Sequence, residues 1–341
     1  MKDFFNKLLT GMSLGIVVCL IPNALVGEIL KLIIPTIPSL QTFLNITLLA
    51  MSLLPIGIGV MVAIQFKLTP IQTMSVGLAT MVGSGVVNFS ETGMTMAGIG
   101  IVINIGLTAG LAVLFVQFLG TKLKDWTLLL MPILSLFIPG MVGMLLLPYV
   151  KAGSDVVGLG VATLTDLQPI IMGMLIAMIF SVLIISPIST IGVATVIMLS
   201  GVSAGAANLG VCAAGVGMAI ASYRSNNLGT SLAHIASAKI QMRNFFMKPK
   251  IAAPTILTAA ILGALAGVLK ITGDPYSAGF GLAGFVGPLK YLSIEQWSPS
   301  SIVISLVMFI ILPIILNIFF LRLFERKLKW ISPKDYKVNY D

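Results

Sequence analysis

The chain has 341 residues, of which 57% are apolar and only 9% are charged. An ordinary soluble domain carries about 25% charged residues, so a soluble enzyme, a nucleic-acid-binding protein and a secreted disulfide scaffold are excluded. The formal net charge of +9 comes from basic residues that lie between apolar stretches, a pattern typical of topology signals in a membrane protein. The composition therefore indicates a polytopic protein of the lipid bilayer, with no nucleic-acid partner.

The apolar stretches predict an all-α fold of about ten transmembrane helices, since a span needs roughly 17 to 25 mainly apolar residues. These spans would occupy most of residues 1–341 as a single transmembrane domain. The candidate spans are Leu8 to Ile33, Phe43 to Phe66, Pro70 to Phe89, Met94 to Leu119, Leu128 to Val150, Leu167 to Ser186, two short crossings within Pro187 to Ser222, Ile251 to Leu269, and Ile302 to Leu321.

The distribution of lysine and arginine predicts the orientation of these spans. When the spans cross the membrane alternately inward and outward, every basic-rich segment lies on one side only if two crossings fit between Pro187 and Arg224, which makes the span number even. Both termini are then cytoplasmic, and residues 322–341 form a basic cytoplasmic tail that we expect to lie on the inner membrane surface. The basic-rich segments lie at Lys2 and Lys7, at Lys67, at Lys122 and Lys124, from Arg224 to Lys250, and from Arg322 to Lys337.

A weak internal similarity relates two parts of the chain. Pro70-Ile71-Gln72-Thr73 resembles Pro187-Ile188-Ser189-Thr190, and each is followed by a Gly-x-Ala-Thr-like run. Both stretches enter from the predicted cytoplasmic side, which would make residues 43–119 and 167–222 a parallel repeat rather than an inverted one. Chance similarity between two apolar, glycine-rich spans is the open alternative.

Two glycine-rich segments predict broken helices at membrane depth. Gly83 to Glu91 closes the third predicted span, and Ser200 to Gly210 lies between the seventh and eighth. Irregular backbone in a bilayer survives only where protein or a water-filled cavity satisfies its polar groups, and paired breaks of this kind are typical of a transporter's substrate site. Close packing of helices through small residues is the alternative. A third segment, Ser277 to Pro288, is too short to span and predicts a re-entrant hairpin or an interfacial segment.

The polar residues beside these segments are the candidates for binding a solute. Asparagine and aspartate would hold hydroxyl groups, Arg224 would bind an anionic group or a partner's phosphate, and His234 would be the proton-sensitive member. Simpler roles remain open: Asp166 as a helix N-cap, Glu91 as a solvated residue and His234 as an interfacial one. The predicted lining residues are Asn88, Glu91, Asp166, Asn208, Arg224, Asn226 and His234.

Other kinds of site are not indicated. The two cysteines, Cys19 and Cys212, lie in apolar runs without metal-ligand spacing, so neither a metal nor another cofactor is expected. No pair of carboxylates, no nucleophile with a base and no phosphate-cradling loop is recognisable. We therefore expect the chain not to be an enzyme by itself.

Several short motifs in a shared order resemble the bacterial phosphotransferase-system EIIC-like membrane proteins. Within that family, the match is closest to the branch named after the perfringolysin O regulator PfoR. The motifs are Gly11 to Glu28, Gln65 to Thr73, Thr165 to Pro169 (TDLQP), Ser186 to Thr190 (SPIST), Gly205 to Gly210 (GAANLG) and Ser277 to Pro288.

The resemblance implies a multi-pass, dimeric, permease-like protein of the bacterial cell membrane that works with separate EIIA and EIIB phosphocarriers. Sugar EIIC proteins use a membrane histidine and glutamate on the sugar hydroxyl, and that pair would here be His234 with Glu91. The function predicted is translocation of a small polar, sugar-like solute between the two broken segments. The alternatives are a membrane-embedded regulator of gene expression, signalling through the basic loop and tail, and a lipid-handling protein.

Overall fold

A computed structural model describes residues 2–90, 93–96, 98–120, 122–275 and 277–338. These residues are mostly helical, as the composition predicts. They divide into two compact units, one reaching Gly153 and the other comprising Ser154–Val338.

The first unit consists of helices joined by short turns and interrupted by one β-hairpin. The helix α7 begins in this unit and ends in the next. The elements are α1 Lys2–Ile33, α2 Gln41–Ser52, α3 Leu54–Gln65, α4 Pro70–Val82, β1 Val87–Ser90, β2 Gly93–Met96, α5 Val102–Leu119, α6 Thr127–Ser135 and α7 Met141–Ala162.

The second unit is built around α10, which is almost entirely buried. Several of its elements are short and joined by single turns of 3₁₀ helix. The elements are α8 Pro169–Leu183, α9 Thr190–Val196, α10 Gly201–Tyr223, α11 Leu228–Ala236, α12 Met242–Met247, α13 Ala253–Leu269, α14 Val286–Ile294, α15 Pro299–Leu306 and α16 Leu312–Arg322.

Within the described residues, six helices are long and apolar enough to cross a membrane, or seven if the bent pair of α2 and α3 counts as one span. The fold class is therefore confirmed as a helical, multi-pass membrane protein, while the count of ten spans stays a prediction. One stretch, Lys124–Asp166, continues for 43 residues, well beyond the predicted span from Leu128 to Val150.

The first predicted break is present. The helix α4 ends at Val82, and a turn leads into the hairpin, where Val87 pairs with Met96 and Asn88 with Thr95. Buried Asn104 on α5 donates hydrogen bonds from its side-chain amide to the carbonyl oxygens of Gly83 and Gly143. The backbone freed at the end of α4 is thus partly satisfied by protein.

The second predicted break is much shorter than expected. The helix α10 begins at Gly201 and runs without interruption, so Gly205 and Gly210 lie inside a regular helix. A Cβ atom on Gly205 would collide with the carbonyl oxygen of Ile271, and one on Gly210 with the backbone of Ala177. These glycines permit close helix packing, and the prediction of irregular backbone over residues 200–210 is wrong beyond Ser200.

The two halves of the proposed repeat begin in the same way. The helix α4 is capped by Thr69, whose Oγ1 accepts from the N–H of Gln72, and α9 is capped by Ser189, whose Oγ accepts from the N–H of Gly192. Each capped helix is followed by a non-helical segment and then a long helix, although α9 has only 7 residues against 13 in α4. A common origin of the two regions stays a prediction.

Candidate functional site

A buried, irregular loop lies against α9 and α10 in the second unit. We call residues 273–275 and 277–287 the glycine loop. Gly273 exchanges two backbone hydrogen bonds of 3.0 Å with Gly201 at the start of α10. The hydroxyl of Thr190 donates to the carbonyl oxygen of Gly279 at 2.8 Å. Protein groups therefore satisfy part of this non-helical backbone, and the interpretation of Ser277 to Pro288 as a re-entrant or an interfacial segment stays a prediction.

Glycine is required where this loop approaches its neighbours most closely. Gly279 and Gly281 have φ angles of +87° and +62°, which side chains other than glycine rarely adopt. A Cβ atom on Gly281 would lie 2.8 Å from the backbone nitrogen of Cys212, and one on Gly279 would lie 2.8 Å from the carbonyl carbon of Thr190. The loop therefore packs directly on the backbone of both helices.

Asn208 is the polar side chain at the centre of this packing. It is 1% exposed, and its Oδ1 accepts a hydrogen bond of 3.1 Å from the backbone N–H of Gly281. Within the part of the chain that the structure describes, its Nδ2 group makes no hydrogen bond. A buried amide with one end held and two N–H groups unused can receive an acceptor, such as a hydroxyl oxygen.

Arg224 and Asn226 contact the C-terminal tail. The Arg224 guanidinium pairs with Glu325, and the side chain of Asn226 donates to the carbonyl oxygen of Tyr336 at 2.9 Å while accepting from the N–H of Val338 at 2.9 Å. Lys248 pairs with Asp335 at 2.6 Å. We call this set of contacts between residues 222–251 and 325–338 the tail interface.

The tail is therefore folded against the protein, and its position on the inner membrane surface stays a prediction. Tyr336 is fully buried, and its hydroxyl donates to the carbonyl oxygen of Ile251 at 2.9 Å. Burial raises the pKa of Tyr336 above its usual range, with smaller effects from Glu325 and Asp335. The phenol consequently stays protonated and keeps its hydrogen bond.

His234 lies fully buried behind the tail interface. Its Nδ1 is 2.8 Å from the carbonyl oxygen of Thr230, and its Nε2 is 3.1 Å from the Nε2 of Gln241. Because an amide nitrogen can only donate, Nε2 accepts and the proton lies on Nδ1. Burial lowers the pKa of His234 to about 4, partly opposed by the carbonyls of Thr230 and Ser231. The imidazole is therefore neutral at pH 7, with both ring nitrogens occupied.

Gln241 connects this histidine to the tail. Its side-chain amide also donates to the carbonyl oxygen of Tyr336 at 2.9 Å, and its Oε1 accepts from Asn244 at 2.7 Å. The contacts of Arg224, Asn226 and His234 are thus those of a structural network. Their part in solute binding stays a prediction.

The other predicted lining residues are not brought to the glycine loop. Asn88 is exposed on β1 in the first unit, and Glu91 lies outside the described residues. Asp166 is exposed at the end of a 3₁₀ turn. The N-cap of α8 is Gln168, so the capping interpretation of Asp166 is wrong.

Lys239 is a buried polar residue that the sequence did not single out. It is 5% exposed, and its Nζ donates to the backbone carbonyls of Ser186 and Ile188, between α8 and α9. Nothing in the sequence distinguishes it from the exposed basic residues of the same segment, because its partners are backbone atoms about 50 residues away.

A separate cavity of about 320 Å³ lies between α10, α11 and α16. Its walls are almost entirely aliphatic. They include Val216, Ile220, Leu228, Leu232, Ile310 and Ile314, with Tyr223 and Ser231 as the polar members. Such a lining lacks the polar groups needed to bind a sugar and does not include Asn208.

A family model described as phosphotransferase system, EIIC matches residues 6–338. The chain belongs to the EIIC family. Members of this family are membrane transport components rather than catalysts by themselves, and the chain is accordingly a multi-pass, sugar-transporter-like permease. No curated protein and no solved structure matches it.

Proposed function

We propose that this EIIC-type chain moves a small polar, sugar-like solute across the bacterial plasma membrane, together with separate EIIA and EIIB phosphocarrier proteins. The observation that carries this proposal is the unused Nδ2 group of Asn208, buried beside the glycine loop. Family membership supports a sugar as the class of solute.

The position of Asn208 suits recognition of a hydroxyl group. Its Oδ1 is engaged by Gly281, so the amide is fixed in one orientation and its two N–H groups point away from that bond. A solute oxygen that accepts from these N–H groups would give the amide a second hydrogen bond. Selectivity for polar solutes would follow from that bond.

We also propose a homodimer with both termini in the cytoplasm, on the PfoR-named branch of the family. The shared order of the short motifs from Gly11 to Pro288 supports the branch. The distribution of basic residues supports the orientation. The dimer rests on the family resemblance alone.

The experiment that tests the main proposal is a solute screen. Full-length protein in detergent would be heated with hexoses, hexitols and N-acetylhexosamines, and its unfolding temperature measured. We expect one class to raise that temperature saturably, because a ligand that binds only the folded state stabilises it by mass action. If no member of the panel does so, and vesicles containing the chain with its phosphocarriers take up none of them, the proposal is wrong.

A membrane-embedded regulator is the second candidate, and the tail interface is the observation that favours it. A basic tail held by specific contacts such as Arg224–Glu325 and Lys248–Asp335 could be released to a partner when a ligand binds. Removing residues 328–341 would abolish a regulatory response in cells and leave solute uptake intact if this function is correct. Unchanged gene expression would argue against it.

A lipid-handling function is favoured only by the aliphatic cavity beside α11. Native mass spectrometry would decide whether a lipid stays bound to the purified protein. Replacing Ala219, which also lines the cavity, with Phe should displace such a lipid, and a lipid-free protein would count against this function.

A further inference from the structure

The turn between α8 and α9 is held by a lysine from a distant part of the chain. The helix α8 ends at Leu183 and α9 begins at Thr190, and we call residues 184–189 the α8–α9 turn. Nζ of Lys239 donates to the carbonyl oxygen of Ser186 and, at 2.7 Å, to that of Ile188. One side chain therefore satisfies two carbonyl groups that no helix uses.

Among the residues that the structure describes, no acidic group compensates a charge at this position. Within the described residues, no carboxylate pairs with Lys239, and residues 169–199 contain no Asp, Glu, Lys, Arg or His. The elements packed against its own turn are α10, α11 and α12. Their titratable groups are Cys212, Tyr223, His234 and Arg243, none of which is a carboxylate.

The number of acceptors matches a neutral amine. A neutral lysine amine has two N–H groups, and two carbonyl oxygens receive them. An ammonium group would bring a third N–H and a full charge into a buried place without a counter-charge, which is costly. Burial accordingly lowers the pKa of Lys239 to about 7.

The α8–α9 turn leads directly to the proposed solute site. The first residue of α9 is Thr190, whose hydroxyl holds the carbonyl oxygen of Gly279. Two residues further along the glycine loop, Gly281 is bonded to Asn208. A change at the turn would therefore reach Asn208 through Thr190, its hydrogen bond to Gly279, the loop residues up to Gly281 and the hydrogen bond to Asn208.

We propose that Lys239 is a proton-binding site that controls the α8–α9 turn: the neutral amine holds the turn closed, and proton uptake releases it. The effect on transport rests on the proposed function, because the turn positions the glycine loop, where the solute is proposed to bind. Acidification would then loosen the site, and the solute would bind more weakly.

The direction of the pH effect follows from linkage. The closed form has a pKa of about 7, whereas an exposed lysine has its ordinary value of 10.5. Between these two pH values the released form binds more protons than the closed form. The equilibrium constant for release therefore falls by up to tenfold for each unit by which the pH rises. His234, with a pKa of about 4, does not titrate in this range.

Hydrogen exchange of the α9 backbone amides, read by mass spectrometry on full-length protein in detergent, tests the proposal. The exchange rates would be measured between pH 7 and 9 without any solute and corrected for intrinsic exchange. They give the opening constant, which is the equilibrium constant for release of the turn. In the wild type, this constant should fall by up to tenfold per pH unit. Lys239→Met, which cannot bind a proton, should show no such slope. Lys239→Arg, which stays charged, should remain open at every pH. Lys334→Met changes an exposed lysine and should keep the wild-type profile.

Two results would overturn the proposal: a wild-type opening constant that does not change between pH 7 and 9, or one whose slope persists in Lys239→Met. If the arginine variant does not fold, the wild-type and methionine profiles decide. The exchange measurement needs no solute, so it still tests the role of Lys239 if the solute screen finds no ligand. Conversely, a flat profile would leave the proposed transport function standing.

Discussion

Asn208 on α10 and Gly281 in the glycine loop are joined by a hydrogen bond of 3.1 Å from the glycine N–H to the asparagine Oδ1. The bond joins a buried side chain to an irregular loop at one point. It explains how an amide can be tolerated within a helix whose other inward residues are mostly alanine, glycine and valine. Within the described residues, the Nδ2 group of that amide makes no hydrogen bond.

Replacing Asn208 with Ala should affect both stability and solute binding. Loss of the acceptor strands the N–H of Gly281, and we expect the free energy of unfolding to fall by about 1 to 3 kcal/mol. Affinity for the solute found in the screen should fall by a similar amount, measured as a smaller shift of the unfolding temperature with solute. Thr258→Val is the matched control, because it removes a buried hydrogen bond to Asn317, which is not part of the glycine loop. If Asn208→Ala leaves affinity unchanged, the residue only holds the loop.

Large side chains at the buried glycines of α10 should disrupt the second unit. In Gly205→Leu and Gly210→Leu, the new side chain would meet the backbone at Ile271 or Ala177, and overpacking of this kind costs typically 1 to 3 kcal/mol or more. Gly160→Leu is the control, because nothing lies within 4 Å of a Cβ atom there. Thermal unfolding followed by size-exclusion chromatography should show loss of folded protein only for the first two variants. Normal folding of either would mean that α10 can move away from its neighbours.

The neutral state of His234 predicts a loss of stability in acid. Its pKa is about 4 in the folded protein against 6.5 ordinarily, so the unfolded chain binds more protons between these values. Stability should decline as pH falls from about 6.5 to about 4, by roughly 3 kcal/mol in total. The difference between wild type and His234→Gln, measured by denaturation at each pH, isolates this contribution. A difference that does not change with pH would show that folding leaves the pKa of His234 at its ordinary value.

Removing the side chain of Asn226 should free the C-terminal tail. Asn226→Ala loses the bonds to Tyr336 and Val338, so brief digestion with trypsin should cut more rapidly at Lys334 and Lys337. Asn88→Ala changes an exposed amide in the first unit and should not alter that rate. Equal cleavage rates for the wild type and Asn226→Ala would indicate that the remaining contacts are sufficient to hold the tail without Asn226.

Single cysteines test the predicted orientation of the chain. Those placed at Lys122 and Lys329 should be shielded from an impermeant thiol reagent in intact cells, whereas those at Thr92 and Ser298 should react. The physical reason is the asymmetry of lysine and arginine, which favours the cytoplasmic side. Labelling at Lys329 without permeabilisation would overturn the even number of spans.

Composition and pattern alone determined the class of this protein. With 9% charged residues the chain cannot remain in water, and the order of its short motifs was enough to indicate the EIIC family over nearly its whole length. The turn at the end of α4 and the irregular backbone of Ser277 to Pro288 were also predicted, because glycine lowers helix propensity. The same signal gave a wrong prediction at residues 201–210, which lie in the regular helix α10.

Only the tertiary structure distinguished residues of the same type. Gly205 and Gly281 look alike in sequence, yet one lies inside a helix that packs closely and the other has a positive φ in a loop. Arg224, Asn226 and His234 contact the tail or a glutamine at the tail interface, and buried Lys239 contacts carbonyl groups about 50 residues away. These roles depend on which distant atoms meet a side chain after folding. Local propensity and hydropathy carry no information about such partners, so the sequence could propose polar residues but not assign their contacts.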